Sequence, residues 1–468
     1  MIEMSLADVA QVTGGRLGGG ADSNARVTAS VVTDSRRVEP GSLFVALPGE
    51  RVDGHDYAGA AVAAGAVAVL GERDVGVACV VVDDAATALG RLARAVVDRT
   101  AVAVVAVTGS SGKTTTKDLL AAVLSKLGPV VAPEGSFNNE VGLPITALRC
   151  DASTKVLVSE MGARGLGHIS YLCTITPPNV SVVLNVGSAH LGEFGSREAI
   201  GTAKGEIVQA LPPDGLAVLN ADDPVVTGMA ERTQAAVCLV GESPGAQVRA
   251  TDVRLDDAGC ATFTLADSDE SATVTLRLVG EHQVANALAV AGVARHLGMG
   301  IRDVAHALSE VRPASRWRME VTQRRDGVTV INDSYNANPE SVRAALKSLV
   351  AIAGSRRSWA VLGEMRELGD ASLAEHDAIG RLAVRLNVDR LVAVGEGARA
   401  MHLGASHEGS WGRESLWVPD REAALALLRA EVEPGDVVLI KGSRLVGLEA
   451  VAAGLLGDDE FADEEDLT

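Results

Sequence analysis

Short apolar runs alternate along this chain with stretches in which alanine and leucine recur at helical spacing. In the first hundred residues, Leu43–Leu47, Ala66–Leu70 and Ala78–Val82 read as short strands between alanine-rich helical segments. From Ala101 onward the alternation is regular. Ala101–Val107, Val156–Glu160, Val180–Val186 and Leu216–Asn220 have the length and β-branched content of buried strands, with helical segments between them. That order predicts a doubly wound parallel sheet. Residues 235–279 switch to short alternating strands with turns such as Asp256-Asp257-Ala258-Gly259. A helix pair, His282–Leu297 and Ile301–Val311, then stops at Pro313. A third α/β block follows, with strands near Val328–Asn332, Trp359–Leu362, Arg390–Val394 and Val437–Ile440. With no tandem repeat, this pattern predicts an α/β protein of three domains: residues 1–98, 99–314 and 315–456, followed by an acidic, disordered tail at 457–468.

Composition narrows the class. Apolar residues make up 47% of the 468 positions and charged residues 22%, which suits packed globular domains. No apolar run reaches the length of a membrane helix, so no membrane span is expected. Glu3 and Asp8 stand where a secretory signal would be basic. The five cysteines, at 79, 150, 173, 238 and 260, are widely spaced and read as reduced thiols of a cytoplasmic protein. A net charge of −19, seven units of it in the last twelve residues, argues against nucleic acid and anionic membrane as partners.

The strand candidate ending at Val107 runs directly into Thr108-Gly109-Ser110-Ser111-Gly112-Lys113-Thr114, and a helix-compatible segment follows. Strand, glycine-rich turn and helix in that order make a phosphate cradle. Backbone N–H groups and the helix N-terminus hold oxyanions, the lysine reaches the outer phosphates, and the threonine hydroxyl can ligate Mg²⁺. The common pattern has a glycine where this chain has Val107, so the loop is a shortened variant. Only seven of the 42 basic residues are lysine. Lys113, Lys204 and Lys441 lie inside glycine-rich or acidic motifs, whereas Lys126, Lys155 and Lys347 read as surface residues.

Other candidates follow strands. Glu160 ends Val156–Glu160, where an open α/β sheet binds ligands and a carboxylate can hold Mg²⁺. Asn185-Val-Gly-Ser-Ala-His190-Leu-Gly-Glu193 brings an imidazole to the same edge, although Mg²⁺ prefers oxygen. Lys204-Gly-Glu206 reads either as a surface ion pair or as a desolvated amine able to add CO₂. Gly280-Glu-His282-Gln-Val-Ala-Asn286 starts a helix with His282 and Asn286 one turn apart. Asp333-Ser-Tyr335-Asn336-Ala-Asn338-Pro339 is either a capping sequence or a ligand-facing loop. Arg316-Trp317-Arg318 sits at the second domain boundary, where an arginine can swing onto phosphates as domains close, and Lys441-Gly442-Ser443-Arg444 suits another anion.

Taken in order from about residue 5 to 455, these motifs resemble the Mur ligase family of peptidoglycan synthesis. Thr108–Asp118, Ser136-Phe-Asn138-Asn139-Glu-Val-Gly-Leu-Pro144, Asn332-Asp-Ser-Tyr-Asn-Ala-Asn-Pro339 and Gly363-Glu-Met-Arg-Glu-Leu-Gly369 are most similar to the branch that adds a D-alanyl-D-alanine dipeptide. Gln283, where the family often has Asn, and Glu364, where this branch often has Asp, are mild departures. The resemblance implies an N-terminal UDP-sugar domain, a central ATPase domain and a C-terminal Rossmann-like domain. It implies that Gly109, Ser110, Ser111, Gly112, Lys113, Thr114 and Thr115 hold ATP phosphates, and that Thr114 with Glu160 holds one Mg²⁺. His190 and a carbamylated Lys204 would serve a second ion, so Lys113, Glu160, His190 and Lys204 form the implied catalytic set. His282 and Asn286 would face adenine, Arg318 and Asp333 would reach the nucleotide from the third domain, and Ser35 and Arg36 would lie near uridine. Asn138, Asn139, Tyr335, Asn336 and Asn338 would bind the other substrates, UDP-N-acetylmuramoyl-tripeptide and D-alanyl-D-alanine. The implied reaction activates a carboxylate as an acyl phosphate with release of ADP, then accepts the dipeptide amine with release of phosphate, in a monomeric enzyme. A sister ligase adding a diamino acid, a folate polyglutamate synthase, a phosphate-loop kinase or ATPase, and a non-catalytic nucleotide-binding module are the alternatives.

Overall fold

The computed structural model describes residues 2–49, 52–187, 191–409, 412 and 414–457. Residues 458–468 of the expected acidic tail lie outside them. Among the described residues the strands form a five-, a nine- and a six-stranded sheet in succession, with a two-stranded ribbon near the N-terminus.

The five-stranded sheet has the order Arg16–Gly18, Cys79–Val81, Ala68–Gly71, Leu43–Val45, Val31–Val32, parallel except for its first strand. Gly54-His55-Asp56 forms a structural clasp beside this sheet. Asp53 caps the turn by accepting from His55 N, its carboxylate lies 2.6 Å from His55 Nδ1, and His55 Nε2 accepts from Glu72 N at 2.8 Å. Helix Ala85–Thr100 leaves this sheet, capped by Asp84 through Thr87 N. Its apolar stripe, Ala85, Ala88, Leu89, Leu92, Ala93, Val96 and Val97, keeps the i, i+3, i+4, i+7 spacing and is fully buried. It packs on helices Gly142–Ala147 and His168–Ile175 of the next layer, so one apolar core runs from Met4 through to Ala235.

The nine-stranded sheet runs Ser271–Val279, Cys260–Ala266, Val248–Leu255, Ala236–Gly241, Leu216–Asn220, Val180–Val183, Ala103–Thr108, Val156–Glu160, Val130–Val131. All neighbours are parallel except the first three strands, which pair antiparallel. Alternation splits each central strand between two cores: Val104 and Ala106 face the core shared with the N-terminal layer, Val105 and Val107 face helices Lys113–Leu124 and Gln283–His296. Two expected strands are shorter than their apolar runs. Ala101 is not strand but the left-handed end of helix Ala85–Thr100 (φ 50°), its N–H bonded to Val97 O. Leu184 N still donates to Thr108 O at 3.0 Å, and the chain leaves the ladder after it because Asn185 turns onto the phosphate loop.

The six-stranded sheet has the order Glu320–Gln323, Thr329–Asn332, Val437–Lys441, Ser358–Gly363, Arg390–Val394, Ser415–Val418, parallel except for its first strand. Its two faces bury separate cores, around Ala360 and Leu362 on one side and Trp359 and Val361 on the other. The segment joining the second and third sheets is tied back by Ser315 Oγ, 2.5 Å from Asp118 Oδ2. No helix among the described residues is long and apolar enough to cross a membrane. The five cysteines are unpaired, and burial pushes the Cys150 and Cys173 thiols up to about 12, which keeps them protonated and inert.

Candidate active site

A cleft of about 370 Å³ opens where the C-terminal strand ends of the second and third sheets face each other. Its floor is the loop Gly109–Gly112 between strand Ala103–Thr108 and helix Lys113–Leu124. Asn185 shapes that loop: its backbone carbonyl accepts from Ser110 N (3.1 Å), Oδ1 accepts from Ser111 N (2.9 Å), and Nδ2 donates to Ser111 O (3.2 Å). Ser110 Oγ accepts from Gly187 N at 2.9 Å. Lys113 Nζ donates to Gly109 O at 2.8 Å. Burial holds its pKa below the ordinary lysine value; Glu160 opposes that shift and Arg318 adds to it.

Gly112 is the helix N-cap at φ 82°, and a Cβ there would stand 2.5 Å from Asn286 Oδ1. Both the backbone angle and the close approach demand glycine. Gly112→Ala is therefore expected to strain the loop by about 1–3 kcal/mol and raise the nucleotide Kd about tenfold or more, measured by calorimetry.

Glu160 ends its strand 1% exposed. Asn138 Nδ2 donates to its Oε1 at 2.8 Å, while Oε2 has no hydrogen-bond partner. A buried carboxylate oxygen left bare beside hydroxyls is a place for a hard cation. Those hydroxyls are Thr114 Oγ1 and Ser136 Oγ, 3.1 Å apart. Thr115 lines the same wall. Asn139 also lines the cleft, but its Oδ1 is spent on the helix Gly142–Ala147, accepting from Val141 N and Gly142 N.

Lys204 and Glu206 do not form the surface pair that their spacing suggests. Both are buried on helix Arg197–Gln209. Glu206 turns to the start of helix His168–Ile175, accepting from Gly167 N (2.6 Å) and Ser170 N (2.9 Å), a carboxylate placed at a helix N-terminus. Lys204 is 2% exposed, and among the described residues its amine makes no hydrogen bond or ion pair. Burial first and the Lys113 charge second push its pKa well below the usual range. His190 lies outside the described residues.

His282 is the residue before helix Gln283–His296 and stands exposed at the cleft, its Nε2 3.0 Å from Gln283 Nε2. Asn286 is buried behind it, donating to Gln283 Oε1 at 2.8 Å and packed against Gly112. The third sheet supplies the roof. Arg318 Nη2 lies 3.3 Å from Thr114 Oγ1 and its guanidinium 4.2 Å from the Tyr335 ring centre. Asn338 caps helix Pro339–Ala353 and also donates to Ser110 O at 3.2 Å. Asn336 lines the cleft, and its backbone carbonyl accepts from Lys441 Nζ at 2.7 Å. Both oxygens of Asp333 are engaged, with Lys441 Nζ at 2.6 Å and Met319 N at 3.1 Å. Lys441 is thus held by protein oxygens rather than offered to an anion, and a single 3₁₀ turn, Arg444–Val446, follows it.

Ser35 and Arg36 are not brought into the cleft. They form a 3₁₀ turn on the first sheet, where Arg36 bonds Asp34 through Nε and Nη2. Motif reading assigns no role to Asn185 or Ser136, and does not foresee that Lys441 is held by Asp333 and Asn336. For Asn185 the signal is present in the sequence, an amide just past the end of a strand whose neighbour carries the phosphate loop.

The comparisons agree with this geometry. Residues 28–104 match the Mur ligase family, catalytic domain; residues 107–294 the Mur ligase middle domain; and residues 317–444 the Mur ligase, glutamate ligase domain. The UDP-N-acetylmuramoyl-tripeptide–D-alanyl-D-alanine ligase of Mycobacterium tuberculosis is 50% identical over 98% of this chain and 99% of its own length. The Escherichia coli protein of the same name is 35% identical over 97% and 99%. Among solved structures, MurF from Acinetobacter baumannii superposes with a TM-score of 0.89 at 34% identity, covering 97% of this chain and 99% of its own. MurF from Thermotoga maritima, solved in complex with ADP, gives 0.81 at 32% identity over 92% and 98%. Three domains matched in chain order, full-length relatives and a shared fold lead to one conclusion: the chain belongs to the Mur ligase family.

Proposed function

We propose that this chain is an ATP-dependent amide ligase that joins D-alanyl-D-alanine to UDP-N-acetylmuramoyl-tripeptide, forming ADP and phosphate in peptidoglycan precursor synthesis. The relatives that match it end to end carry that activity in their names. The observation that carries the reading is one cleft in which a phosphate loop and a bare buried carboxylate oxygen meet loops of the third sheet, with the buried Lys204 amine near enough to feel the Lys113 charge.

A peptide carboxylate is a poor electrophile, so its oxygen first takes the terminal phosphoryl group of ATP. The amine of the dipeptide then attacks the acyl phosphate, and phosphate leaves from the tetrahedral intermediate. Negatively charged groups must approach one another closely, so positioning and positive charge carry the catalysis. The loop N–H groups and Lys113 hold the outer phosphates. Arg318 approaches the same phosphates from the opposite domain, and Asn338 ties that domain to the loop. His282 and Asn286 flank the base. Tyr335, Asn336, Asn138 and Asn139 face the side where the peptide substrates enter, and the first sheet, with Ser35 and Arg36, takes the UDP end.

Thr114 and Glu160 fit a divalent cation such as Mg²⁺, which supplies charge neutralisation across the phosphates when bound. The desolvated amine of Lys204 is suited to add CO₂, losing a proton to give a carbamate whose oxygens, with His190, would hold a second ion. We take a cytoplasmic monomer as the working form.

The test is phosphate release from ATP and Mg²⁺ with UDP-N-acetylmuramoyl-tripeptide, with and without D-alanyl-D-alanine, following the nucleotide product by mass. Release that needs both substrates, with a product heavier by the dipeptide less water, is expected. Release indifferent to the dipeptide overturns the assignment in favour of a sister ligase or a plain ATPase.

A further inference from the structure

Arg318 stands between two non-glycine residues in left-handed conformation, Trp317 at φ 58° and Met319 at φ 49°. Side chains disfavour that region, so such a pair persists only where its surroundings hold it. The surroundings are specific. Met319 N donates to Asp333 Oδ1 at 3.1 Å, Tyr335 N donates to Trp317 O at 3.3 Å, and the Arg444 guanidinium lies 4.3 Å from the Trp317 ring centre. Asp333 is fixed in turn by Lys441, whose ammonium belongs to a residue 2% exposed and donates to Asp333 Oδ2 at 2.6 Å and Asn336 O at 2.7 Å. One compact cation therefore ties the end of strand Val437–Lys441 to the loop after strand Thr329–Asn332.

We propose that Lys441 is a positioning residue for the reaction: it braces Asp333, which holds the strained turn at Met319 and so delivers Arg318 to the phosphate loop. The brace itself lies within the third sheet and its loops, and Arg318 carries its effect across the boundary to Thr114. It differs from an anion site, because the ammonium donates to the protein oxygens Asp333 Oδ2, Asp333 O and Asn336 O. Methionine fills the space of the lysine stem but donates nothing. Arginine cannot replace it, since a planar guanidinium does not fit a buried site shaped for a single nitrogen. The proposal rests on the reading of Arg318 as a phosphate contact.

The test is a double-mutant cycle on the full chain, with binding of a non-hydrolysable ATP analogue and Mg²⁺ measured by calorimetry. Arg318→Ala and Lys441→Met are each expected to raise Kd about tenfold, and the double variant to bind within about twofold of Arg318→Ala alone. A merely structural lysine would give effects that multiply. Wild-type affinity in Lys441→Met, or multiplied losses in the double variant, overturns the brace while leaving Arg318 in place. Wild-type affinity in Arg318→Ala overturns the phosphate role of Arg318 and the brace together. Should Lys441→Met not fold, Asp333→Asn, which keeps the shape and removes the charge, runs the same cycle with the same criteria.

Discussion

Lys113→Ala is expected to lower ADP formation by about a thousandfold or more while leaving the fold intact. The side chain enters no core; its amine donates to Gly109 O, a carbonyl that water satisfies once the amine is gone. Its removal takes away the positive charge nearest the outer phosphates, in a site where Glu160 supplies the opposite sign. Lys113→Arg is expected to recover little, because the loop is drawn in tightly by Asn185 and Gly112 and admits a slim ammonium rather than a fork. Steady-state ADP release beside a melting curve checks both statements. Unchanged ADP release in the alanine variant would refute the phosphate-loop role.

Lys204→Ala is the second large effect. Turnover is expected to fall by about a hundredfold to ten-thousandfold, with the nucleotide Kd within about threefold of wild type. The stability side of this variant is distinctive. Removing most buried polar groups orphans a partner, but among the described residues the Lys204 amine has none. The melting temperature should therefore hold or rise, because a desolvated amine disappears. Short carboxylates such as acetate are expected to restore part of the turnover by standing in for the carbamate oxygens, and isotope-labelled CO₂ to give a carbamate signal in the wild type only. Wild-type turnover in the variant would sink the carbamate.

The central strands of the second and third sheets are legible in the amino-acid sequence alone. Buried parallel strands write themselves as unbroken Val-rich runs, so Ala103–Thr108, Val156–Glu160 and Val437–Lys441 fall within a residue or two of expectation. The errors sit where a local event interrupts the run. Ala101 closes a helix, and Asn185 trades its ladder position for the phosphate loop. Apolarity alone cannot register either event. Site residues on one loop, such as Ser110 to Thr114, are readable because their spacing is the geometry. The joins between distant segments are not. Nothing local in Asn338 announces a bond to Ser110, and Lys204-Gly-Glu206 does not reveal that both side chains are buried, with Glu206 turned to a helix end.

The core that runs from Met4 to Ala235 has a consequence for how the molecule comes apart. The buried members of the C-terminal cores all lie at Met319 or beyond, whereas the first two sheets share helix Ala85–Thr100 as common filling. Three sheets thus amount to two cooperative units. A protease cutting near Ser315 would release two bodies that each keep a whole interior, and calorimetry would resolve them as separate transitions. A cut near Ala101 would split a single interior, so the N-terminal layer is not a detachable module, and a ligand held by that layer would stabilise the second sheet in the same melting event.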